Sequence, residues 1–431
     1  MMHPLYAAYT VLTSGLFFLC FPPFWLYSRL SGYYSKDMKQ RLGILPRHLF
    51  RTHLKGPRIW IHAVSLGEVR VAVPILNSLR RIIGECNLVL SSTTLHGKDL
   101  ATQALPGIPV IIAPLDHVIP VRKALSRVRP DMMVFLETEI WPAWLTESHR
   151  MGIKTALING RISPRSIRKY LRIRPFFREV LKSMDCFSMI SREDARRIQQ
   201  MGADPHKITI HGNAKYDLLA NQADPALEEK MRETLNLRPT DRVFVAGSTR
   251  GGEEEIILDA YELICKEFPD TVLVIAPRHI ARTPEIESML RGRGLSYHLR
   301  KDLDRPGSRR TEPVVIVNTF GELFPLYSVG TIIFCGASLV PLGGQNPLEA
   351  AVWGKVVFYG PSMEDFLDAK ALLETADAGI EVTGARELGQ RALWFLNHPD
   401  LMDRWGARAR EAIFRNQGAA DRHARVIARL L

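Results

Sequence analysis

Thr331-Ile332-Ile333-Phe334, followed by Gly343-Gly344-Gln345-Asn346-Pro347-Leu348-Glu349-Ala350-Ala351-Val352-Trp353, is a strand-like run leading through a glycine turn into a helix. Paired glycines let a backbone approach a ligand closely. Proline is favoured at the first position of a helix, because the N–H it lacks would be unpaired there anyway. The run from Ala350 is expected to continue that helix. A helix start presents free N–H groups and a partial positive charge, which suit a phosphate. The same Asn-x-x-Glu spacing is also a capping box, in which Glu349 only ties down its own helix. Both readings are open on this stretch alone.

The same rhythm extends along the chain. Short apolar runs at 59–64, 88–91, 110–112, 132–136, 155–158 and 187–190 alternate with helical patterns, and so do runs at 243–246, 271–275, 314–317, 332–334 and 356–358. Continuous apolar strands separated by helices imply parallel sheets covered on both faces. The fold class is therefore α/β, with two doubly wound Rossmann-like domains whose ligands sit at the carboxyl ends of the strands. The join falls in the polar stretch between Asp217 and Arg242. The expected division is a membrane anchor over 1–35, a first domain over 36–222 and a second over 223–431. The last helix is a candidate to pack back on the first domain. Neither a Walker phosphate loop nor G-x-G-x-x-G is present, so the common ATPase and dinucleotide readings lose support.

A length of 431 residues exceeds one core. The five cysteines (Cys20, Cys86, Cys186, Cys265, Cys335) are scattered and suit a reducing compartment. A net charge of +12 favours a polyanion or an anionic membrane surface. Residues 1–28 carry no charged side chain of Asp, Glu, Lys or Arg, and the apolar run ends in Phe21-Pro22-Pro23-Phe24-Trp25 rather than at a small-residue cleavage site. It reads as a retained anchor whose helix, stopped before Pro22, would be roughly 24 Å long, short of the ~30 Å hydrocarbon core. Spanning and partial insertion are both open, as is a buried core helix. Arg29, Lys36, Lys39, Arg41, Arg47 and Arg51 follow it and place the body on the cytoplasmic side.

Candidate chemistry gathers after strands. In His62-Ala63-Val64-Ser65-Leu66-Gly67-Glu68, the carboxylate of Glu68 lies on a first helical turn, where it would take a proton from a hydroxyl or close a capping box with Ser65. Glu137-Thr138-Glu139-Ile140-Trp141-Pro142 offers two carboxylates which, if the strand continues, share a face. Lys215, in His211-Gly212-Asn213-Ala214-Lys215, would neutralise a carboxylate or phosphate. Arg278, after Pro277, offers a phosphate fork. Ser248 and Thr249 open another helix with small residues suited to an anion, and Asn318-Thr319-Phe320-Gly321-Glu322 repeats that arrangement. Asp302-Leu303-Asp304 has a metal-binding form but lies in a polar loop. No histidine spacing suits zinc, so no metal is expected. From Arg150 to Lys182 ten basic residues face Glu179 alone, interleaved with Tyr170, Phe176 and Phe177, which suits a phosphorylated amphiphile at a membrane.

Together, residues 62–68, 137–142, 159–163 (Asn-Gly-Arg-Ile-Ser), 212–215, 277–279 and 343–349 resemble the 3-deoxy-D-manno-octulosonic acid (Kdo) transferases, inverting glycosyltransferases of the GT-B fold. The resemblance covers essentially the whole chain. It implies two domains facing a central cleft and an N-terminal membrane-anchoring helix, in an enzyme of the inner membrane working at the cytoplasmic face. It implies a CMP-Kdo donor, a lipid A precursor as acceptor, and no cofactor. By motif, Glu68 corresponds to the general base, and Glu137 and Lys215 to transition-state stabilisers. Pro277, Arg278, Phe320, Gly321, Glu322, Asn346, Pro347, Leu348 and Glu349 correspond to the CMP site, with Ser248, Thr249, Gly343 and Gly344 as further donor-binding candidates. Asn318 stands where the family often has Asp, and Gln345 where it usually has His. A UDP-sugar donor is the rival reading within the fold. A membrane-anchored nucleic-acid-binding protein is the rival from another class, and it leaves the strand-end carboxylates unexplained.

Overall fold

A computed structural model describes residues 3–31, 37–50 and 55–431, so Lys36 and Arg51 of the basic run lie outside the described residues. The chain divides into two compact units: unit 1 is Met1–Leu218 with Gln417–Leu431, and unit 2 is Leu219–Asn416.

Unit 1 runs α1 (Pro4–Ser31), α2 (Met38–Arg41), β1 (Arg58–His62), α3 (Leu66–Ile83), β2 (Asn87–Ser92), α4 (Leu95–Ala104), β3 (Val110–Ile112), α5 (Val118–Val128), β4 (Met132–Leu136), α6 (Pro142–Arg150), β5 (Lys154–Gly160), α7 (Pro164–Arg172), α8 (Arg174–Leu181), β6 (Cys186–Met189), α9 (Arg192–Met201) and β7 (Ile208–Ile210). The chain leaves it within α10 (Lys215–Gln222). Its seven strands are parallel in the order β3-β2-β1-β4-β5-β6-β7. All of β4 is buried. Its alternation sends Met133 and Phe135 into one core, and Met132, Val134 and Leu136 into the core on the other face. Strand order reverses between β1 and β4, the place where such sheets open a crevice at their carboxyl edge.

Unit 2 continues with α11 (Pro225–Thr234), β8 (Val243–Thr249), α12 (Glu253–Cys265), β9 (Val272–Pro277), α13 (Thr283–Gly292), β10 (Tyr297–Leu299), β11 (Val314–Ile316), α14 (Leu323–Val329), β12 (Ile332–Cys335), α15 (Leu348–Ala351), β13 (Val357–Tyr359), α16 (Leu367–Thr375), β14 (Gly379–Glu381), α17 (Ala385–Leu396) and α18 (Pro399–Arg415). Its parallel sheet is ordered β10-β11-β9-β8-β12-β13-β14, with the reversal between β8 and β12. The last helix, α19 (Ala419–Leu430), belongs to unit 1 and packs on α3.

The structure departs from the sequence expectation in five elements. β7, β10 and β14 were not anticipated. Each is only three residues long and at or near a sheet edge, where half-buried mixed residues leave no apolar run. The helix expected from Asn346 to Trp353 is one turn, Leu348–Ala351. Gly354, at φ +74°, turns the chain into β13, and its backbone packs against Gly406 so closely that a Cβ on Gly406 would lie 1.9 Å from its carbonyl oxygen. α1 does not stop before Pro22 but runs through Pro22 and Pro23 to Ser31, 28 residues in all. Proline's fixed φ is compatible with a helix, so the two residues remove donors without forcing an end.

Candidate functional site

At the switch point of unit 1, β1 delivers the 63–68 loop and β4 delivers Glu137. Ser65 caps α3, its hydroxyl accepting from the Glu68 N–H at 3.4 Å. The Glu68 carboxylate reaches back and accepts from the Val64 N–H at 2.6 Å and from the Ser65 hydroxyl at 3.4 Å. The capping arrangement is therefore present. It fixes the carboxylate instead of consuming it, since these bonds hold Glu68 at the strand's carboxyl end. Burial, then the charges of Glu139 and Glu137, push its pKa up from 4.5 to about 8 against the opposing hydrogen bonds. A base titrating there is poised near neutral pH.

The strand does not continue through Glu137, as the shared-face expectation required. Glu137 is left-handed at φ 52°, its N–H bonded to Ile158, and the chain folds back so that the Glu139 N–H meets the Leu136 carbonyl at 3.2 Å. The turn nonetheless keeps both carboxylates near Glu68. Glu139 accepts from the Trp141 indole, and burial lifts its pKa to about 7. Glu137 pairs with Lys215 at 2.8 Å.

Lys215 arrives from the far side of the sheet, after β7, and a residue that sequence reasoning gave no role brings it there. Asn159, left-handed at φ 53° at the end of β5, accepts from the Ala214 N–H at 2.8 Å. Asn213 accepts from the Lys215 N–H at 3.0 Å and starts α10. The signal for Asn159 was its place in the Asn-Gly-Arg-Ile-Ser stretch. His62 faces away, buried and kept neutral with its pKa down to about 4 by desolvation, its Nδ1 3.0 Å from the Ser91 hydroxyl.

In unit 2 the candidate donor residues lie at the carboxyl edge: Ser248, Thr249 and Pro277 end β8 and β9, and the others are on or beyond the loops after β9, β11 and β12, four strands that are consecutive in the sheet. The Arg278 N–H ties its loop to the end of β8 through the Thr249 carbonyl at 3.1 Å, and within the connection after β12 the Gly344 N–H bonds the Ala337 carbonyl at 2.8 Å. The Arg278 and Phe320 side chains are exposed, Phe320 by 87%. Glu322 accepts from Arg300 at 2.8 Å and from Thr319. Asn318 accepts from the Lys301 N–H, so this departure from the family pattern holds a loop. Asn346 accepts from the Leu348 N–H at 3.3 Å, a local turn in place of the expected bond to the N–H of Glu349. Pro347 precedes α15, Leu348 is buried within it, and Glu349 follows on its first turn.

The anion expected at the start of α12 is supplied by the protein. Glu253, fully buried, accepts from the N–H groups of Arg250, Ala337, Ser338 and Leu339 at 2.6 to 2.9 Å. Thr249 is likewise buried, its hydroxyl given to Glu254 at 2.7 Å, and Ser248 is strained at φ 57°. These two residues brace the loops and do not face outward. Asp304 pairs with Arg300 and Asp302 with Arg305, so the D-x-D form is spent on ion pairs. Among the described residues, no three His, Cys, Asp or Glu side chains converge as metal ligands do.

Comparison with known proteins places these features in context. Residues 36–218 match the family model described as 3-deoxy-D-manno-octulosonic-acid transferase (kdotransferase). The chain is 30% identical over 355 residues to a 3-deoxy-D-manno-octulosonic acid transferase of Rickettsia prowazekii, covering 82% of this chain and 75% of that one. It is 32% identical over 332 residues to a bifunctional glycosyltransferase/methyltransferase of Fusobacterium nucleatum, covering 76% of this chain but only 51% of that protein's length. A solved glycosyltransferase from Rickettsia africae superposes with a TM-score of 0.59 at 15% identity, over 87% of this chain and 98% of that one, a likeness of fold alone.

Proposed function

The chain belongs to the 3-deoxy-D-manno-octulosonic acid transferase family and is a glycosyltransferase, and from this premise we propose that it moves Kdo from CMP-Kdo onto a hydroxyl of a phosphorylated lipid A precursor. Glu68 is the general base. The acceptor oxygen forms its bond to the anomeric carbon as its proton passes to Glu68, and the bond from that carbon to the CMP phosphate breaks with its electrons leaving on the phosphate. The transition state is oxocarbenium-like. Lys215 neutralises the sugar carboxylate, and Glu137 orients Lys215. Arg278, with the loops carrying Phe320–Glu322 and Asn346–Glu349, holds CMP and offsets charge on the departing phosphate. No metal or other cofactor takes part, because protein cations supply the charge a metal would otherwise offset. The enzyme works on the cytoplasmic face of the inner membrane, and nucleic acid is not a partner.

The observation that carries this reading is Glu68, a fixed carboxyl with pKa about 8 at a sheet switch point beside the Glu137–Lys215 pair. The test is product mass after incubating purified protein with CMP-Kdo and lipid A precursor, with UDP-sugars in parallel. The expected result is a mass gain of whole Kdo residues with CMP-Kdo only, abolished in Glu68→Gln and insensitive to a chelator. Transfer from a UDP-sugar, or full activity in Glu68→Gln, would refute it.

A further inference from the structure

α1 is long and apolar enough to cross a bilayer, but its contacts forbid it. Tyr6, Tyr9, Thr10, Thr13, Ser14 and Phe17 are at least partly covered and form one stripe at helical spacing. That stripe is rich in hydroxyls and turned to the protein. Tyr6 donates to Glu147, Tyr9 donates to Asp116 at 3.1 Å, and Ser14 lies 3.0 Å from His117, whose ring stacks on Phe17. Phe176 of α8 packs on Tyr9. Tyr6 is 4% exposed, and the contacts with the body run from Tyr6 to Phe17, so the N-terminal half of α1 lies on unit 1. A carboxylate such as Asp116 or Glu147 has no place in hydrocarbon.

The chain beyond α1 confirms the constraint. Asp37 pairs with Lys98 of α4 at 3.2 Å, and the Arg41 guanidinium donates to the Thr93 carbonyl. From Ser31 to Asp37 a chain reaches at most ~20 Å, less than the ~30 Å core. The N-terminal half of α1 and the chain from Asp37 onward are thus held by the same body.

The outward faces are apolar: Val11, Leu12, Leu16, Phe18, Leu19, Leu26 and Leu30 are all more than half exposed. Ile119, which starts α5 two residues after His117, is also exposed, as are Leu171 and Ile173, and Arg168, Lys169, Arg172, Arg174 and Arg178 neighbour the last two along the chain. Apolar side chains rimmed by cations fit lipid tails under anionic headgroups.

We propose that α1 is a monotopic anchor, lying in one leaflet of an anionic bilayer with unit 1 seated on its hydroxyl stripe, and that it never crosses the membrane. This rests on the membrane location given under the proposed function. The test uses the full chain with His3→Cys and Cys20→Ser, in sealed inside-out inner-membrane vesicles treated with a membrane-impermeant maleimide. Labelling is read by mass spectrometry of the peptide bearing residue 3. Glu229→Cys, exposed in unit 2, reports the side on which the body lies. The expected result is that positions 3 and 229 label together while the vesicles are intact. Labelling of position 3 only from the opposite side, or only after detergent dissolves the bilayer, overturns the monotopic arrangement while leaving the membrane location intact. A chain that stays soluble, alone or as a dimer, overturns the membrane location itself.

Discussion

Glu68 closes a capping box and is also the proposed base, and its spacing from Ser65 could report only the first. A capping box predicts a charged side chain at ease on a helix N-terminus. Burial and two neighbouring carboxylates, Glu139 and Glu137, reverse that preference, and none of these is visible in a four-residue pattern. Two consequences follow from its pKa of about 8. A base works deprotonated, so kcat/KM for the free enzyme should climb with pH up to about 8 and then level. Stability runs the other way. The folded-state value lies above the unfolded 4.5, so the folded state keeps the extra proton between 4.5 and about 8 and loses stability as pH rises through that window. Glu68→Gln should lack this loss. Denaturant unfolding at about pH 5 and about pH 9 should show the variant gaining on the wild type at the higher pH, on the order of a few kcal/mol. Asn159 makes a different prediction. Asn159→Ala leaves the buried Ala214 N–H unpaired, costing about 1–3 kcal/mol, and frees the loop that carries Lys215. Turnover should fall while KM for CMP-Kdo stays put, because Asn159 acts on the loop of Lys215 and not on the unit 2 residues proposed to hold CMP. The Asn-Gly-Arg-Ile-Ser stretch marks Asn159, but its partner is given only by the hydrogen bond across 55 residues.

At the scale of elements, the central strands were legible because both their faces are buried, which writes an unbroken apolar run such as Met132-Met133-Val134-Phe135-Leu136. β7, β10 and β14 were illegible for the converse reason. α15 shows a subtler failure: Asn-Pro and an alanine run promised a long helix, but close packing at Gly354 limits it to one turn. What organises that region is glycine and a buried acid. Gly344, at φ +77°, would place a Cβ 2.4 Å from the Met363 sulfur and 3.1 Å from the Ser362 carbonyl oxygen. Gly344→Ala should cost about 1–3 kcal/mol and weaken CMP-Kdo binding, read by thermal midpoint and by donor titration. Glu253 gathers four backbone N–H groups, so Glu253→Ala should cost on the order of 3 kcal/mol or more and loosen the β8 and β12 loops together. If the anion site at α12 were meant for substrate phosphate, that variant would bind donor more tightly. Weaker binding is expected, because the carboxylate shapes the loops that hold Arg278.

For the whole molecule, unit 1 is built from two separated pieces of chain, and the second piece is small but central. α19 contributes Ala419, Ala420, Ala424, Val426 and Ile427 to the core behind the sheet. Its His423, buried and kept neutral, shares the Ser188 hydroxyl at 2.7 Å. Burying Val426 and Ile427 alone contributes roughly 3 kcal/mol, a large part of ordinary domain stability. A polypeptide ending at Asn416 should therefore expose that core and aggregate. The junction also offers a positive test. The Asp217 carboxylate accepts from the Gly418 N–H at 2.5 Å and the Ala420 N–H at 2.8 Å, so the two crossing points are already neighbours. Deleting residues 219–416 and joining Leu218 to Gln417 through a few glycines closes only a short loop, at little entropic cost. The resulting protein should unfold in one cooperative transition, and Lys215→Met should destabilise it by unpairing Glu137. It should bind no CMP-Kdo, since the donor loops are gone. Aggregation despite an intact α19 would mean that unit 1 depends on unit 2 to fold.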